Sequence, residues 1–180
     1  MDKEIPNNIV HAILASKLPS PEKELERVFD DLSTAVGAGI DTTAGALRLI
    51  LFHVFSNTDI LQRLRAELKA TGIEHPDTVE LRVLEQLPYL TAVLKEGLRL
   101  SPAVATRSAR VASDRDLFYN DWRIPAGTPV GMTALLIHTD ETLYPDPMRF
   151  NPDRWVGSNT QKTDQPFYPF SKGTRSCVGM

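Results

Sequence analysis

Phe170-Ser171-Lys172-Gly173-Thr174-Arg175-Ser176-Cys177-Val178-Gly179 is the stretch that contains the only cysteine in this chain of 180 residues. A deprotonated thiol is a soft anionic metal ligand, and a thiolate is one of the few side chains that hold haem iron axially. The glycines allow a tight turn and a close approach of the backbone to a flat ligand. A lone cysteine is more often a small buried hydrophobe, so the rest of the chain must decide between a metal ligand and a packed thiol.

The composition excludes several classes of protein. Hydrophobic residues make up 42% of the chain, close to a globular average. The net charge of −3 argues against a nucleic-acid partner. One cysteine allows neither an internal disulfide nor a zinc site of the kind built from several cysteines. No uninterrupted apolar run approaches the roughly 20 residues that cross a bilayer.

Helices dominate the first part of the chain. Apolar spacing and capping residues predict helices over 5–18, 21–55, 57–72 and 88–100, with a polar connection and one helical turn at 73–87. Ser20 is a good N-cap for the second helix, and Pro21 suits its first position. That long central helix is apolar on nearly every side from residue 44 onward, as expected for a helix inside a large core.

The second part of the chain changes to short strands and irregular structure. The pattern predicts strands over 103–111, 115–119 and 122–132, with turns at 120–121 and 125–127. From residue 144 onward, proline, asparagine and glycine predict a mostly irregular segment. The predicted fold class is therefore mainly α with small β-sheets (α+β).

Glu96 and Arg99 lie three residues apart on the fourth helix and therefore share one face. Most such pairs are solvated and contribute little to stability. This helix is otherwise apolar, so we expect the pair to be partly buried, where it needs further partners to offset desolvation. Arg154 is the candidate third member. The expected role of the three charges is structural: they fix the irregular segment that leads to the cysteine.

Residues 38–43, with the sequence Ala-Gly-Ile-Asp-Thr-Thr, weaken the middle of the long helix. A threonine such as Thr42 can bond back to a carbonyl one turn earlier and bend the helix. Two interpretations stay open for this segment alone. Gly39 either allows close packing at a helix crossing, or it belongs to a functional cluster with Asp41 and Thr42.

Three segments of the chain resemble signatures of the cytochrome P450 family. Phe-x-x-Gly-x-Arg-x-Cys-x-Gly at 170–179 resembles the haem-ligand signature at every fixed position. Glu96-x-x-Arg99 with a downstream Pro-x-Arg-Trp resembles the second signature, and residues 38–43 resemble the oxygen-activation segment. All three occur in the family's order, and His138-Thr139-Asp140 and Tyr144-Pro145-Asp146-Pro147 resemble its run before Arg154. The resemblance spans nearly the whole chain and is most similar to fungal microsomal members.

The resemblance implies roles for particular residues. Cys177 would be the proximal ligand of haem iron, and Phe170, Gly173 and Gly179 would shape its loop. Cations would bind the haem propionates, because charge-assisted bonds to carboxylates are strong; Arg175 is the first candidate, Arg110 the second and Arg107 a weaker alternative. For Arg110 and Arg107, a solvated strand arginine is an equally good interpretation. Thr42 would be the hydroxyl over the iron, with Asp41 as its acidic partner in proton delivery.

The resemblance also implies a function for the parent protein. We expect a haem-thiolate monooxygenase that inserts one oxygen atom from O2 into a lipophilic organic substrate, with electrons from an NADPH-dependent reductase. We expect the parent protein to be held in the endoplasmic-reticulum membrane by a segment absent from this chain. Residues 1–180 would form one partial, incomplete P450 domain that is inactive by itself. The alternatives are a catalytically inactive truncated product and a helical interaction fragment without a cofactor, in which Cys177 is merely packed.

Overall fold

The computed structural model describes residues 8–72, 79–101, 104–157 and 166–179. Helices predominate and two small antiparallel sheets accompany them, so the predicted fold class is confirmed. The chain divides into two compact units, Met1–Ala44 and Gly45–Met180. Residues 5–7 of the first predicted helix, 73–78 of the polar connection and 102–103 before the strands lie outside the described residues.

The first unit contains helix α1 (Ile9–Ala15), a 3-10 helix (Ser20–Lys23) and the start of helix α2 (Leu25–Ser56). The predicted start of the long helix at Pro21 is wrong. Glu24 follows the 3-10 helix with an extended backbone at ψ 148°, and this interrupts the helical path before Leu25. Ser20 lies inside the 3-10 helix and does not cap α2. The first helix is also shorter than predicted, because Ser16 is extended.

Helix α2 is unbroken over 32 residues. Its length and mean hydropathy suffice to cross a membrane, although the core helix of a soluble protein meets the same test. Charged residues such as Asp41 and Arg48 divide the helix without lowering its mean hydropathy much, so it contains no uninterrupted apolar run of that length. Only a few of its side chains, among them Ile50 and Val54, are buried in this structure.

The second unit is built on helices α3 (Thr58–Ala70) and α5 (Pro88–Leu100), with the short helix α4 (Leu81–Glu85) between them. Both longer helices lie where the sequence predicts them. The side chain of Asn57 accepts from the amides of Asp59 and Ile60 and so caps α3. The core of this unit is apolar and consists of Ile50, Val54, Ile60, Tyr89, Val93 and Phe150.

The strands are shorter than predicted. Strand β1 (Arg110–Val111) pairs with β4 (Pro129–Val130), and β2 (Leu117–Tyr119) pairs with β3 (Trp122–Ile124), both antiparallel. The predicted strand over 122–132 is wrong, because a turn separates β3 from β4. Gly127 has φ 82° in that turn, a conformation that favours glycine, and its amide donates to Ala112 O at 2.8 Å. The predicted strand over 103–111 reduces to the two residues of β1.

Two short elements complete the second unit and position the site. Helix α6 (Ala134–His138), which the sequence analysis did not predict, begins where the Thr133 hydroxyl accepts from Leu135 N at 3.3 Å. A second 3-10 helix (Pro152–Trp155) interrupts the irregular segment, and the side chain of Asn151 caps it. Helix α5 packs against both elements and against α3.

Candidate functional site

The carboxylate of Glu96 is fully buried and accepts five hydrogen bonds. Oε1 accepts from Arg99 Nη2 at 2.8 Å, from Asn151 N at 2.9 Å and from Arg154 Nε at 3.0 Å. Oε2 accepts from Arg99 Nε at 2.9 Å and from Trp155 Nε1 at 2.8 Å. We call these five residues the carboxylate cluster. The structure thus brings together Glu96, Arg99 and Arg154, which the sequence analysis had grouped.

Two opposing effects determine the charge of Glu96. Burial by itself raises the pKa of this carboxyl, because the charged form loses water. Hydrogen bonds from Arg99 and from the Asn151 amide outweigh burial and hold the pKa below its ordinary value. Glu96 therefore stays ionised, and its bonds to two guanidinium groups compensate the desolvation of all three charges.

The two arginines of the cluster also bind backbone carbonyl groups at the end of α6 and in the irregular segment after residue 144. Arg99 Nη1 donates to His138 O at 2.6 Å, and its guanidinium lies 5.1 Å from the centre of the Tyr144 ring. Arg154 donates to Pro145 O at 3.2 Å. One buried carboxylate on α5 therefore organises the end of α6, the segment after residue 144 and the second 3-10 helix.

Residues 166–168, which we call the approach segment, lead from this cluster to the cysteine loop. Three contacts fix the approach segment: Tyr144 Oη donates to Pro166 O at 2.8 Å, Tyr168 N donates to His138 Nε2 at 2.9 Å, and the Phe167 ring stacks on His138 at 5.6 Å. The sequence analysis quoted His138 and Tyr144 only as part of a family run. Their hydrogen bonds join residues that are 22 and 30 positions apart, so no local spacing in the sequence predicts these bonds.

Burial keeps His138 and Tyr144 in the protonation states that these bonds require. It lowers the pKa of the His138 imidazole, because the cationic form would be desolvated. It raises the pKa of Tyr144 to about 12. At neutral pH, Nε2 of His138 is therefore available as an acceptor and the Tyr144 hydroxyl keeps its proton.

Residues 170–179, which we call the ligand loop, fold back on themselves. Cys177 N donates to Phe170 O at 2.9 Å, so the two ends of the turn meet. Ser176 N donates to Gly173 O at 3.1 Å inside it. Gly173 has φ 86° and Ser171 has φ 65°, and the left-handed conformation at position 173 is one that glycine adopts without strain.

The Cys177 thiol is exposed, so the interpretation as a packed core thiol is wrong. A Cβ added to Gly179 would lie 3.9 Å from Sγ, so the glycine leaves that side of the sulfur open. Within the described ranges, no three His, Cys, Asp or Glu side chains group as metal ligands. A single thiolate with an open face suits axial ligation of a haem rather than a cage of protein ligands, and these residues therefore fit that cofactor.

The candidate propionate ligands are exposed arginines. Arg175 lies in the ligand loop, and Arg110 lies in β1. Arg110 Nη1 donates to Ser108 O at 2.9 Å, whereas Arg107 precedes the strand. In the part of the chain that the structure describes, none of the three forms an ion pair with a carboxylate. Their cationic groups are therefore available to an anionic ligand.

Asp41 and Thr42 lie in the first unit, on α2. The Thr42 hydroxyl donates to Ala38 O at 2.8 Å, the back-bond that the sequence analysis anticipated, and the Asp41 side chain is exposed. A Cβ on Gly39 would meet no described atom within 4 Å, so the structure shows no close helix crossing at this glycine. The helix continues through this segment without a break.

The sequence analysis missed two residues that position α5. Glu67 of α3 accepts from Tyr89 N at 2.7 Å and from Leu90 N at 2.8 Å, and so caps a helix that lacks a side-chain cap of its own. Gly97 faces Ile50, and a Cβ there would overlap the Ile50 side chain. A glycine inside a good helix-forming sequence was a visible signal, whereas Glu67 gave none.

The family can be decided by comparison with known proteins. The family model described as Cytochrome P450 matches residues 1–180. The chain belongs to the cytochrome P450 family. Members of this family are haem-dependent.

Curated relatives come from fungi. The chain is 39% identical over 181 residues to the cytochrome P450 monooxygenase tndB of Aspergillus flavipes, a match that covers 100% of this chain and 37% of that protein. It is 44% identical over 174 residues to the tryptophan 6-hydroxylase fscE of Fusarium equiseti, with 96% and 34% covered. The chain thus spans about a third of the length of these relatives.

Solved P450 structures share the fold. The retinoic-acid-bound cyanobacterial P450 aligns with a TM-score of 0.76 at 26% identity, covering 94% of this chain and 39% of that chain. A zebrafish P450 solved with progesterone aligns with a TM-score of 0.71 at 30% identity, covering 87% and 35%. The predicted P450 fold is therefore confirmed for this part of the molecule.

Proposed function

We propose that the protein is a haem-thiolate monooxygenase, which inserts one oxygen atom from O2 into an organic, lipophilic substrate with electrons from an NADPH-dependent reductase. The observation that carries this proposal is the exposed Cys177 thiol in a closed loop, connected through the approach segment to a fully bonded buried carboxylate. Names of the fungal relatives support the reaction type, since they include monooxygenases and hydroxylases.

Five residues of the ligand loop, and Arg110 of β1, have a part in this proposal. Cys177 would hold the haem iron as a thiolate, and Phe170, Gly173 and Gly179 would keep the loop closed and the sulfur accessible. Arg175 and Arg110 bind the propionate carboxylates by charge-assisted hydrogen bonds. When bound, the haem would supply the activation of dioxygen, which side chains do not provide.

Asp41 and Thr42 serve proton transfer in this proposal. The Asp41 carboxylate is exposed to water, and the half-buried Thr42 hydroxyl passes a proton on from Oγ1. The Thr42 hydroxyl proton is bonded to Ala38 O, so the hydroxyl turns away from that carbonyl when it donates its proton to a ligand, and its oxygen lone pairs accept a proton from water in return. Replacing Thr42 by Val should therefore uncouple reductant consumption from product formation, while Thr43→Val on the same helix should not.

The experiment that tests the function compares Cys177→Ala with Ser176→Ala in the haem-loaded protein. Ser176 contributes only a backbone amide to the loop, so its variant is a matched control. We expect the control to keep the thiolate-type difference spectrum of the CO complex and Cys177→Ala to lose it. Retention of that spectrum without Cys177 would refute the assignment of the ligand.

An inactive or partner-binding chain is the second candidate, and the exposed apolar side chains of α2 favour it. They include Leu47, Leu51, Phe52 and Phe55. We infer that the isolated 180-residue chain does not turn over, because such a surface promotes association instead of a closed substrate pocket. Stoichiometric haem uptake together with product formation by the isolated chain would contradict this inference.

The relatives are named for tryptophan and for fusicoccadiene, two different molecules, so no particular compound is proposed as the organic, lipophilic substrate. We also propose association with the endoplasmic-reticulum membrane, supported by resemblance to fungal microsomal P450s. Cell fractionation checks this, with recovery in the microsomal pellet as the expected result and recovery in the soluble fraction as the contradiction.

A further inference from the structure

We propose that His138 is a positioning residue for Cys177. Its imidazole fixes the polypeptide that enters the ligand loop and so sets where the thiolate stands. This inference rests on the proposed function, in which Cys177 is the iron ligand. Its evidence is separate, because it comes from the packing of the approach segment.

Three hydrogen bonds connect His138 with Cys177 in series. Tyr168 N donates to His138 Nε2 at 2.9 Å. The carbonyl of Tyr168 in turn accepts from Ser171 N at 3.1 Å, which begins the turn. Cys177 N donates to Phe170 O at 2.9 Å, which closes it. A displacement of Tyr168 therefore reaches both ends of the turn that carries the thiol.

His138 is itself held rigidly, as a positioning residue must be. The residue is 2% exposed, and its own carbonyl accepts from Arg99 Nη1 at 2.6 Å. Phe167 stacks on one side of the ring at 5.6 Å, and Tyr144 meets it edge-on at 6.2 Å. The imidazole thus fixes the approach segment relative to the buried carboxylate cluster.

Burial first, and then the charge of Arg99, favours the neutral form of His138. The facing titratable groups are the Arg99 guanidinium, the Tyr144 phenol and, behind Arg99, the Glu96 carboxylate. A protonated imidazole would be buried beside a cation, and Nε2 would then carry a proton and stop accepting from Tyr168. The bond is therefore complete at neutral pH and is lost as the pH falls through the pKa of His138, which lies below its ordinary 6.5.

The test uses three variants of the haem-loaded protein. His138→Phe keeps an aromatic ring and removes the acceptor, whereas His138→Gln offers an amide oxygen near the position of Nε2. His53→Phe is the matched control, because His53 stacks on Phe150 at 4.5 Å in the same unit and has no bond to the approach segment. Two quantities are measured: hydrogen exchange at the Tyr168 amide, and the thiolate-type and thiol-type fractions of the CO complex.

We expect His138→Phe to speed exchange at Tyr168 about tenfold, the effect of losing one hydrogen bond, and to raise the thiol-type fraction. His138→Gln should restore both values, and His53→Phe should change neither. Unchanged exchange in His138→Phe, faster exchange with an unchanged spectrum, or equal effects in His53→Phe would each overturn the proposal. Failure of the proposed function has a different signature, since the unaltered protein would then lack the thiolate-type spectrum.

A measurement on the unaltered protein covers the case in which His138→Phe does not fold. The protection of the Tyr168 amide, corrected for the intrinsic pH dependence of exchange, should fall as the pH is lowered from 7 through the pKa of His138, which lies below 6.5. The amides of α5, which do not depend on His138 Nε2, are the internal control over the same range. Protection at Tyr168 that stays constant, or that falls in parallel with α5, would overturn the proposal.

Discussion

At the scale of single residues, the balance of charge at Glu96 can be tested by removing that charge. Glu96→Gln keeps the size of the side chain but leaves Arg99 and Arg154 buried without a counter-ion, and it turns an amide donor toward guanidinium donors. Removing one partner of a buried ion pair costs about 3–5 kcal/mol. We expect a loss of that order in the free energy of unfolding, measured with urea. Glu141→Gln, at an exposed glutamate, should change it by less than about 0.5 kcal/mol.

The acid dependence of stability gives Glu96 a second test. Its pKa is lowered in the folded protein from an ordinary 4.5, so its contribution is fully present above that value. Below it the unfolded chain takes up a proton that the folded chain does not, and stability falls as the pH drops through the folded pKa. The difference in unfolding free energy between the unaltered protein and Glu96→Gln should therefore shrink from pH 7 to pH 4. A difference that stays constant would contradict the ionised state of Glu96.

At the scale of secondary-structure elements, Glu67 fixes the start of α5 from a neighbouring helix. Glu67→Ala removes the acceptor for two amides, those of Tyr89 and Leu90, at the positive end of the helix dipole. Loss of a helix cap costs about 0.5–2 kcal/mol, and we expect the upper half of that range because both oxygens are used. Gln62→Ala, on an exposed position of the same helix, is the control for urea unfolding. Equal effects of the two variants would exclude the cap.

The crossing of α2 and α5 depends on the missing side chain at position 97. Gly97→Ala should lower the free energy of unfolding by about 1–3 kcal/mol, because the new Cβ overlaps Ile50. The cost should shrink in an Ile50→Ala background, which removes the overlapping atoms. Gly45→Ala on α2 is the control: no described atom lies within 4 Å of its Cβ, so it should be neutral or stabilising by up to about 1 kcal/mol. A Gly97→Ala cost that is unchanged in the double variant would contradict the overlap.

These elements show which parts of the structure the sequence could predict. Helices α3 and α5 were predictable because their signals are local: Asn57 and Pro88 stand at their starts, and apolar residues repeat along one face. The strands were predicted too long because an alternating apolar pattern does not show how many residues of a neighbouring strand are available for hydrogen bonding. The Glu96–Arg99 pair was recognisable from its spacing, and the ligand loop from its resemblance to a P450 signature. The bonds of His138 and Glu67 were not, since they join residues 30 and 22 positions apart.

At the scale of the whole molecule, the carboxylate cluster and the long helix are opposite in their exposure to water. Charged groups on α5 are fully buried, whereas large apolar side chains on α2 are exposed. The interior is therefore specified by hydrogen bonds as much as by apolar packing. The exposed face of α2 makes association, rather than local unfolding, the expected cause of failure for this chain in solution.

The exposed apolar face of α2 can be tested by substitution. Phe52 and Phe55 are 65% and 66% exposed, so replacing both by Ser removes apolar surface without opening a cavity. We expect the double variant to stay monomeric at higher concentration in sedimentation velocity and to bind less of a hydrophobic dye, while its free energy of unfolding changes by less than about 1 kcal/mol. Ile50→Ser and Val54→Ser, at buried positions of the same helix, should instead destabilise the fold. If the Phe52 and Phe55 changes destabilised the protein as much as the buried pair, these two rings would belong to the core and the face would not be free.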